Sequence, residues 1–178
     1  MDLYNLAKKR RSVRSFEDKI IEPGKIGQLI NVLQFLPSSR SIFPLEFIVV
    51  VEKELLKQLA ESKDHGASFL KDAPAAVVII ADEEKSDAWV EDASIAATFL
   101  MFQAVDLDLG TCWIQIRERQ RATKSSEEIV KEILNIPEKY RVEAIIALGY
   151  PNYKNLSPKP KSFNLNKIFH NQFKKTDD

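Results

Sequence analysis

The sequence is poor in the residues that build several common kinds of site. Five glycines in 178 residues are too few for the phosphate loops of P-loop and Rossmann proteins, and neither fingerprint is present. One cysteine, Cys112, excludes an intramolecular disulfide and is typical of a reducing compartment. His65 and His170 lie far apart with no acidic or thiol partner at ligand spacing, which argues against a metal site. Any bound cofactor would have to be held by side chains.

The chain also lacks an excess of charge of either sign. Lys plus Arg and Asp plus Glu each number 26, so the formal net charge is zero and no global field attracts nucleic acid or membranes. No run approaches the roughly 20 apolar residues that span a bilayer, and residues 1–5 form no apolar signal core. We expect a cytoplasmic protein with one domain over residues 1–178 that binds neither nucleic acid nor membrane.

A basic stretch, residues 9–16, stands out against this balanced background. It contains three arginines and two serines within eight residues. Guanidinium groups match phosphate oxygens in pairs, and a hydroxyl adds another donor, so the basic stretch can hold a phosphate monoester. The candidate donors are Arg10, Arg11, Ser12 and Arg14. A basic run near an N-terminus is also commonly a solvated face, and the residues alone leave both interpretations open.

Apolar periodicity predicts helices that alternate with strands. Helices are predicted over residues 2–9, 23–36, 55–62, 89–107 and 125–136, and strands over residues 47–51, 75–81, 111–116 and 142–148. The first two strands are continuous apolar runs, which are typical of strands covered on both faces. Buried strands separated by helices indicate a layered α/β or α+β domain. The composition after Pro151 predicts an exposed, extended segment that ends in a short helix or a docked tail.

A second candidate site is the serine loop, residues 37–44, which lies between two prolines and contains three serines. It leads directly into the first predicted strand. Loops at the ends of strands often contact ligands, but they are as often plain surface connections. The sequence favours neither.

Four separated pieces of the chain, in order, resemble the nitroreductase family of flavin enzymes. They are residues 10–16, residues 37–50, the helix from Asp92 together with residues 109–114, and residues 149–151 followed by 158–161. The resemblance implies an α+β fold with a central, mostly antiparallel sheet of four to five strands, flanked by helices. It further implies an extended C-terminal tail over about residues 150–178 that docks on the partner subunit, and a homodimer with two FMN sites at the subunit interface.

The resemblance also implies which residues bind FMN. Those carried over for the phosphate and ribityl chain are Arg10, Arg11, Ser12 and Arg14, with Lys159 or Lys161 closing over the same phosphate. These lysines replace an expected arginine and so exchange a bidentate fork for a point charge. Those carried over for the flavin bound mainly by the other subunit are Pro37, Ser38, Ser39 and Ser41. The helix from Asp92 would form much of the dimer interface.

The chain departs from the family pattern at the ring end of the flavin. Ser41, Phe43 and Leu45 stand where the family usually has Asn, Gln and Trp, and Thr98 stands where it has Gln. Phe43 and Leu45 fit either an apolar substrate pocket or the protein core. The lost amides leave substrate choice and turnover open.

By the same resemblance, the protein is an oxidoreductase that passes electrons from NADH or NADPH to a small organic acceptor such as a nitroaromatic or a quinone, in a ping-pong hydride mechanism. No side chain is then required as an acid or base, and none is assigned as catalytic. The alternative is a flavin-binding or flavin-storage protein with little turnover, because a fold does not fix a function.

Overall fold

The computed structural model describes residues 2–152 and 164–173, and the statements below concern these residues. The helices are α1 (Leu3–Lys9), α2 (Pro23–Asn31), α3 (Lys53–Ala60), α4 (Trp89–Asp106) and α5 (Ser126–Leu134). The strands are β1 (Leu45–Val50), β2 (Ala75–Asp82), β3 (Gly110–Gln115), β4 (Gln120–Arg121), β5 (Lys124–Ser125) and β6 (Tyr140–Gly149). Short 3₁₀ turns lie at Val32–Phe35, Ser39–Ser41, Ser68–Asp72 and Leu165–Lys167.

Four strands form one antiparallel sheet in the order β1-β2-β6-β3. Strands β4 and β5 form a separate small hairpin. One face of the sheet packs on α4, and the apolar side chains of that layer include Ala97, Leu100 and Ile146. The other face packs on α3 and α5 through side chains such as Leu56 and Val130. The α+β fold with a mostly antiparallel central sheet is confirmed.

The two continuous apolar runs form strands β1 and β2, as they predict. Strand β2 is buried along its whole length, because it lies between two other strands and under helices on both faces. Strand β1 is covered on both faces, as expected: Ile48 and Val50 pack on the α3 and α5 side, and Phe47 and Val49 pack on the α4 side. It is nevertheless an edge strand, mostly half-buried, with Glu46 exposed. A continuous apolar run does not by itself distinguish a central strand from an edge strand.

Side chains cap the N-termini of helices α1 and α5. Asp2 caps α1 by accepting a 2.9 Å hydrogen bond from the backbone N–H of Asn5. Ser125 caps α5, and its hydroxyl accepts a hydrogen bond from the N–H of Glu127. In a capping box, the cap would accept from the N–H of Glu128. Glu127 instead binds the N–H of Val142 at 2.8 Å and joins α5 to β6.

The tail after β6 is described only in part. Residues 164–173 contain one 3₁₀ turn, and their apolar side chains are exposed. The aromatic rings of Phe169 and Phe173 contact each other, with centroids 4.5 Å apart. Lys159 and Lys161 lie outside the described residues. Within the described ranges, no helix is long and apolar enough to cross a membrane.

Candidate functional site

The basic stretch leaves the end of α1 and runs beside the start of edge strand β3. Ser12 forms a parallel bridge with Thr111, and the N–H of Val13 donates a 2.8 Å hydrogen bond to the carbonyl oxygen of Thr111. At its far end, the N–H of Asn152 donates to the carbonyl oxygen of Ser15 at 3.0 Å. The backbone of the basic stretch is therefore fixed to the sheet at both ends.

Two glycines allow this close approach. A Cβ atom on Gly110 would lie 2.7 Å from a methyl group of Val13, and a Cβ on Gly149 would lie 2.6 Å from the ring of Phe16. Val13 and Phe16 are buried against the sheet in consequence. Arg14, which lies between them in the sequence, is exposed. Two apolar side chains thus anchor the stretch while Arg14 between them stays exposed.

The guanidinium groups of Arg10 and Arg14 both influence the thiol of Cys112 in β3. Burial raises the pKa of the Cys112 thiol, and the positive charges of Arg14 and Arg10 partly oppose that shift. Both arginines therefore lie close to the start of the strand. Arg10 and Arg11 are half-buried, as is Ser12. These are the four residues that the sequence predicts for a phosphate site, and the structure brings them to one corner of the sheet.

Strand β3 directs backbone groups away from β6 along this same edge. The carbonyl oxygen of Thr111 accepts from Val13, and that of Gln115 accepts a 3.0 Å bond from the Lys63 ammonium group. Because backbone groups alternate along an antiparallel strand, Trp113 directs its N–H and C=O to this side as well. An edge strand of this kind offers hydrogen-bonding groups to whatever lies beside it.

A polar network that the sequence interpretation missed stands at the far end of β3. The indole N–H of Trp113 donates to the side-chain oxygen of Gln115 at 2.9 Å, and the Gln115 amide donates to Glu143 at 3.1 Å. Glu143 is 3% exposed and also accepts a 2.8 Å bond from Arg117. The signal was present, since Glu143 interrupts the otherwise apolar strand run 142–148. Its partners could not be named without the register of β3 against β6.

The serine loop lies at a different corner. Because neighbouring strands are antiparallel, β3 begins at the end of the sheet where β6 stops, whereas β1 begins at the opposite end. Three strand spacings and six residues of strand separate the two corners, a diagonal of roughly 25 Å. The structure therefore does not bring the serine loop and the basic stretch together within one chain.

Buried Asp92, in the first turn of α4, holds the serine loop in place. One carboxylate oxygen accepts a 2.6 Å hydrogen bond from the Ser38 hydroxyl, and the other accepts from the N–H of Ser39 at 3.1 Å. The Ser38 hydroxyl in turn accepts from the N–H of Phe43 at 2.9 Å. Pro37 and Ser41 are exposed and Ser39 is half-buried.

The residues that depart from the family pattern fall into two groups. Leu45 packs against the core cluster on the α4 face, as the core interpretation has it, while the Phe43 side chain is 58% exposed. The Thr98 hydroxyl donates to the carbonyl oxygen of Ser94 in its own helix at 2.9 Å. Of these four residues, Leu45 is half-buried in the core layer, whereas Ser41, Phe43 and Thr98 are exposed.

Comparison with known proteins gives one consistent answer. The family model described as "Nitroreductase family" matches residues 7–63 and 56–150. A solved structure of an FMN-dependent nitroreductase from Clostridium difficile R20291 is 40% identical, with a TM-score of 0.88, and the alignment covers 96% of this chain and 100% of that chain.

Two further matches extend the comparison. A protein of Archaeoglobus fulgidus with the provisional name NADH dehydrogenase/NAD(P)H nitroreductase is 34% identical over 146 residues, which is 80% of this chain and 81% of the relative. A structure of oxidized iodotyrosine deiodinase bound to FMN and 3-iodo-L-tyrosine has a TM-score of 0.79 at 22% identity, covering 97% of this chain and 100% of that chain, and shares the fold alone. The chain belongs to the nitroreductase family.

Proposed function

We propose that the protein is an FMN-dependent oxidoreductase that passes electrons from NADH or NADPH to a small organic acceptor such as a nitroaromatic or a quinone. The cofactor is FMN, as in the similar enzyme from Clostridium difficile. The observation that carries the proposal is the attachment of the basic stretch to the open edge of β3 through the Val13–Thr111 hydrogen bond. It sets the guanidinium and hydroxyl groups that we assign to the FMN phosphate beside an open strand edge.

The side chains at this corner fit the phosphate of FMN. Arg10, Arg11 and Arg14 supply guanidinium forks, and Ser12 supplies a hydroxyl beside them. A hydrogen bond to a charged partner contributes about 1.5–3 kcal/mol, so two or three such bonds would make binding of the cofactor tight. Lys159 and Lys161 remain candidates for the same phosphate and lie outside the described residues.

The protein's part in the reaction is position and electrostatics. When bound, FMN supplies the hydride and electron transfer chemistry. The outward N–H and C=O of Trp113 offer hydrogen bonds along the edge of β3, and Lys63 fixes the end of that edge at the Gln115 carbonyl. No side chain is required to take up or release a proton, which is consistent with a site that has no assigned catalytic residue.

The proposal includes a homodimer in which each FMN contacts both chains. The basic stretch and the serine loop occupy opposite corners of one sheet, so a second copy is needed for both to reach one cofactor. Large apolar side chains are exposed on α1, on the turn after α2, on α4 and in the tail, and burial between two chains would remove them from water. They include Leu3, Tyr4, Phe35, Ile95, Leu165 and Phe173. The match over residues 7–150 supports one domain, 1–178, in each subunit.

A second candidate function is flavin storage with little turnover. The observation that favours it is at Thr98, whose hydroxyl is bonded to its own helix where the family pattern has an amide. Replacement of amides by Ser41 and Phe43 in the serine loop acts in the same direction. Both changes affect the ring end of the site and leave the phosphate end intact.

Steady-state kinetics distinguish the two functions. The purified protein is assayed with NADH and with NADPH against a quinone and a nitroaromatic. We expect turnover with parallel double-reciprocal lines, because the nicotinamide product leaves before the acceptor enters. Retained FMN without turnover with either donor would favour storage, and failure to bind FMN would contradict both functions.

A further inference from the structure

The serine loop has a backbone conformation that is unfavourable for the residues that form it. Arg40, Ser41 and Phe43 have φ values of 53°, 55° and 52°, in the left-handed region that non-glycine residues rarely occupy. Three such residues within four positions persist only when the surroundings hold them. Strain of this kind concentrates at sites that contact ligands.

The contacts that hold the loop converge on Asp92. Its carboxylate is 3% exposed and accepts from the Ser38 hydroxyl at 2.6 Å and from the Ser39 N–H at 3.1 Å. The Ser38 hydroxyl then fixes the other side of the loop by accepting from the Phe43 N–H at 2.9 Å. One buried carboxylate therefore joins both ends of the strained turn to α4.

These bonds change the role available to Ser38. Its hydroxyl has one proton, which it donates to Asp92, and it already accepts one hydrogen bond from Phe43. It is thus committed to the loop's own structure. The exposed residues of the loop are Pro37, Arg40, Ser41 and Phe43.

We infer that Asp92 is a positioning residue that fixes the serine loop in the shape it presents to the FMN bound by a second copy of the chain. This inference rests on the proposed two-chain cofactor site. Asp92 touches neither cofactor nor substrate and acts only through Ser38 and Ser39. Arg40 also pairs with a carboxylate, Asp87, but the Asp87 side chain is 88% exposed, and exposed pairs contribute little.

The first test compares D92N with D87N. Asp92→Asn keeps the side-chain shape and removes the charged acceptor, so the amide hydrogens of Ser39 and Phe43 should exchange faster with solvent. FMN binding should weaken about tenfold, since the loop must then be ordered on binding. Asp87 contacts the same loop through the exposed Arg40 pair, so Asp87→Asn should change neither the amide exchange rates nor the FMN affinity. S38A provides a milder variant if D92N folds poorly.

Mixed dimers decide whether Asp92 acts across the subunit interface. One chain carries D92N and the other carries R11A and R14A, each with a different affinity tag. If the serine loop serves the partner's cofactor, one site in the mixed dimer has both defects and the other has none. In an FMN titration we expect one site per mixed dimer with the wild-type affinity, whereas neither parent homodimer has a site of that affinity.

Two outcomes would overturn the inference. A mixed dimer with no tight FMN, made from two defective parents, would place the effect of Asp92 within its own chain. Unchanged FMN binding by the D92N homodimer would remove the positioning role altogether. If instead R11A/R14A homodimers retain FMN, the proposed phosphate site fails, and the D92N homodimer alone decides the role of Asp92.

Discussion

The carbonyl oxygen of Thr111 accepts a 2.8 Å hydrogen bond from the N–H of Val13, and this bond fixes the basic stretch to the second residue of strand β3. The same strand end is where the charges of Arg10 and Arg14 reach the Cys112 thiol. A short segment with little secondary structure of its own is thereby held in one place relative to the sheet. The phosphate site proposed here depends on that attachment.

Replacing Arg11 and Arg14 together with Ala should weaken FMN binding by roughly 100-fold or more, since two charge-assisted hydrogen bonds are lost. The fold should persist, because neither guanidinium group is in the core. Riboflavin, which lacks the phosphate, should bind the variant and the wild type alike. Equilibrium dialysis with both flavins measures this. Arg121→Ala, in the β4–β5 hairpin, is the matched control, and an undiminished FMN preference in the double variant would remove the assignment.

Gly110→Ala should destabilise the protein, because its Cβ would lie 2.7 Å from the Val13 side chain in a packed layer. We expect a loss of about 1–3 kcal/mol in urea unfolding, as for other overpacked sites. Gly27→Ala, in helix α2 with nothing within 4 Å of the new Cβ, should instead be neutral or stabilise by up to about 1 kcal/mol. Equal effects at the two glycines would contradict the close approach.

The extent to which sequence reasoning succeeds differs between fold and site. Continuous apolar runs and helical spacing locate β2, β6 and α4, because burial on both sides demands apolar residues throughout. The basic stretch can also be identified from the sequence, because the arginine residues themselves specify the charged donors. What periodicity does not contain is strand order, and strand order alone makes β1 an edge strand and places the serine loop opposite the basic stretch.

Contacts between distant residues are the second limit. Asp92 looks like an ordinary acidic residue in the first turn of a helix, where it is favoured by the helix dipole. Its bonds to Ser38 and Ser39 join positions more than 50 residues apart, with separations of 54 and 53. No local pattern reports such a pair.

Glu143→Ala should cost about 2–4 kcal/mol of unfolding free energy, because Arg117 and the Gln115 amide lose a buried acceptor. Arg117 is partly exposed and keeps Glu118 as a second partner, which places the loss below that of a fully buried pair. Glu143→Gln retains an acceptor and should lose less. Urea unfolding of the apoproteins measures both. Equal stability of all three proteins would mean that the network contributes nothing to folding.

The Cys112 thiol should make stability fall at alkaline pH. Burial raises its pKa above the usual 9.0, so the unfolded chain loses the thiol proton at lower pH than the folded chain does. The contribution is therefore complete below about pH 9 and declines as pH rises further. The difference in unfolding free energy between wild type and Cys112→Ala should shrink between pH 8 and roughly pH 10. A constant difference over that range would contradict the shift.

The visible absorption spectrum of the freshly purified protein, taken without oxygen before and after NADH is added, tests the central claim most directly. We expect an oxidised flavin spectrum that bleaches with NADH or NADPH and returns when a quinone is added. A colourless protein that takes up no FMN would contradict the account. A flavin spectrum that neither nucleotide bleaches would leave the cofactor site standing and contradict the oxidoreductase activity.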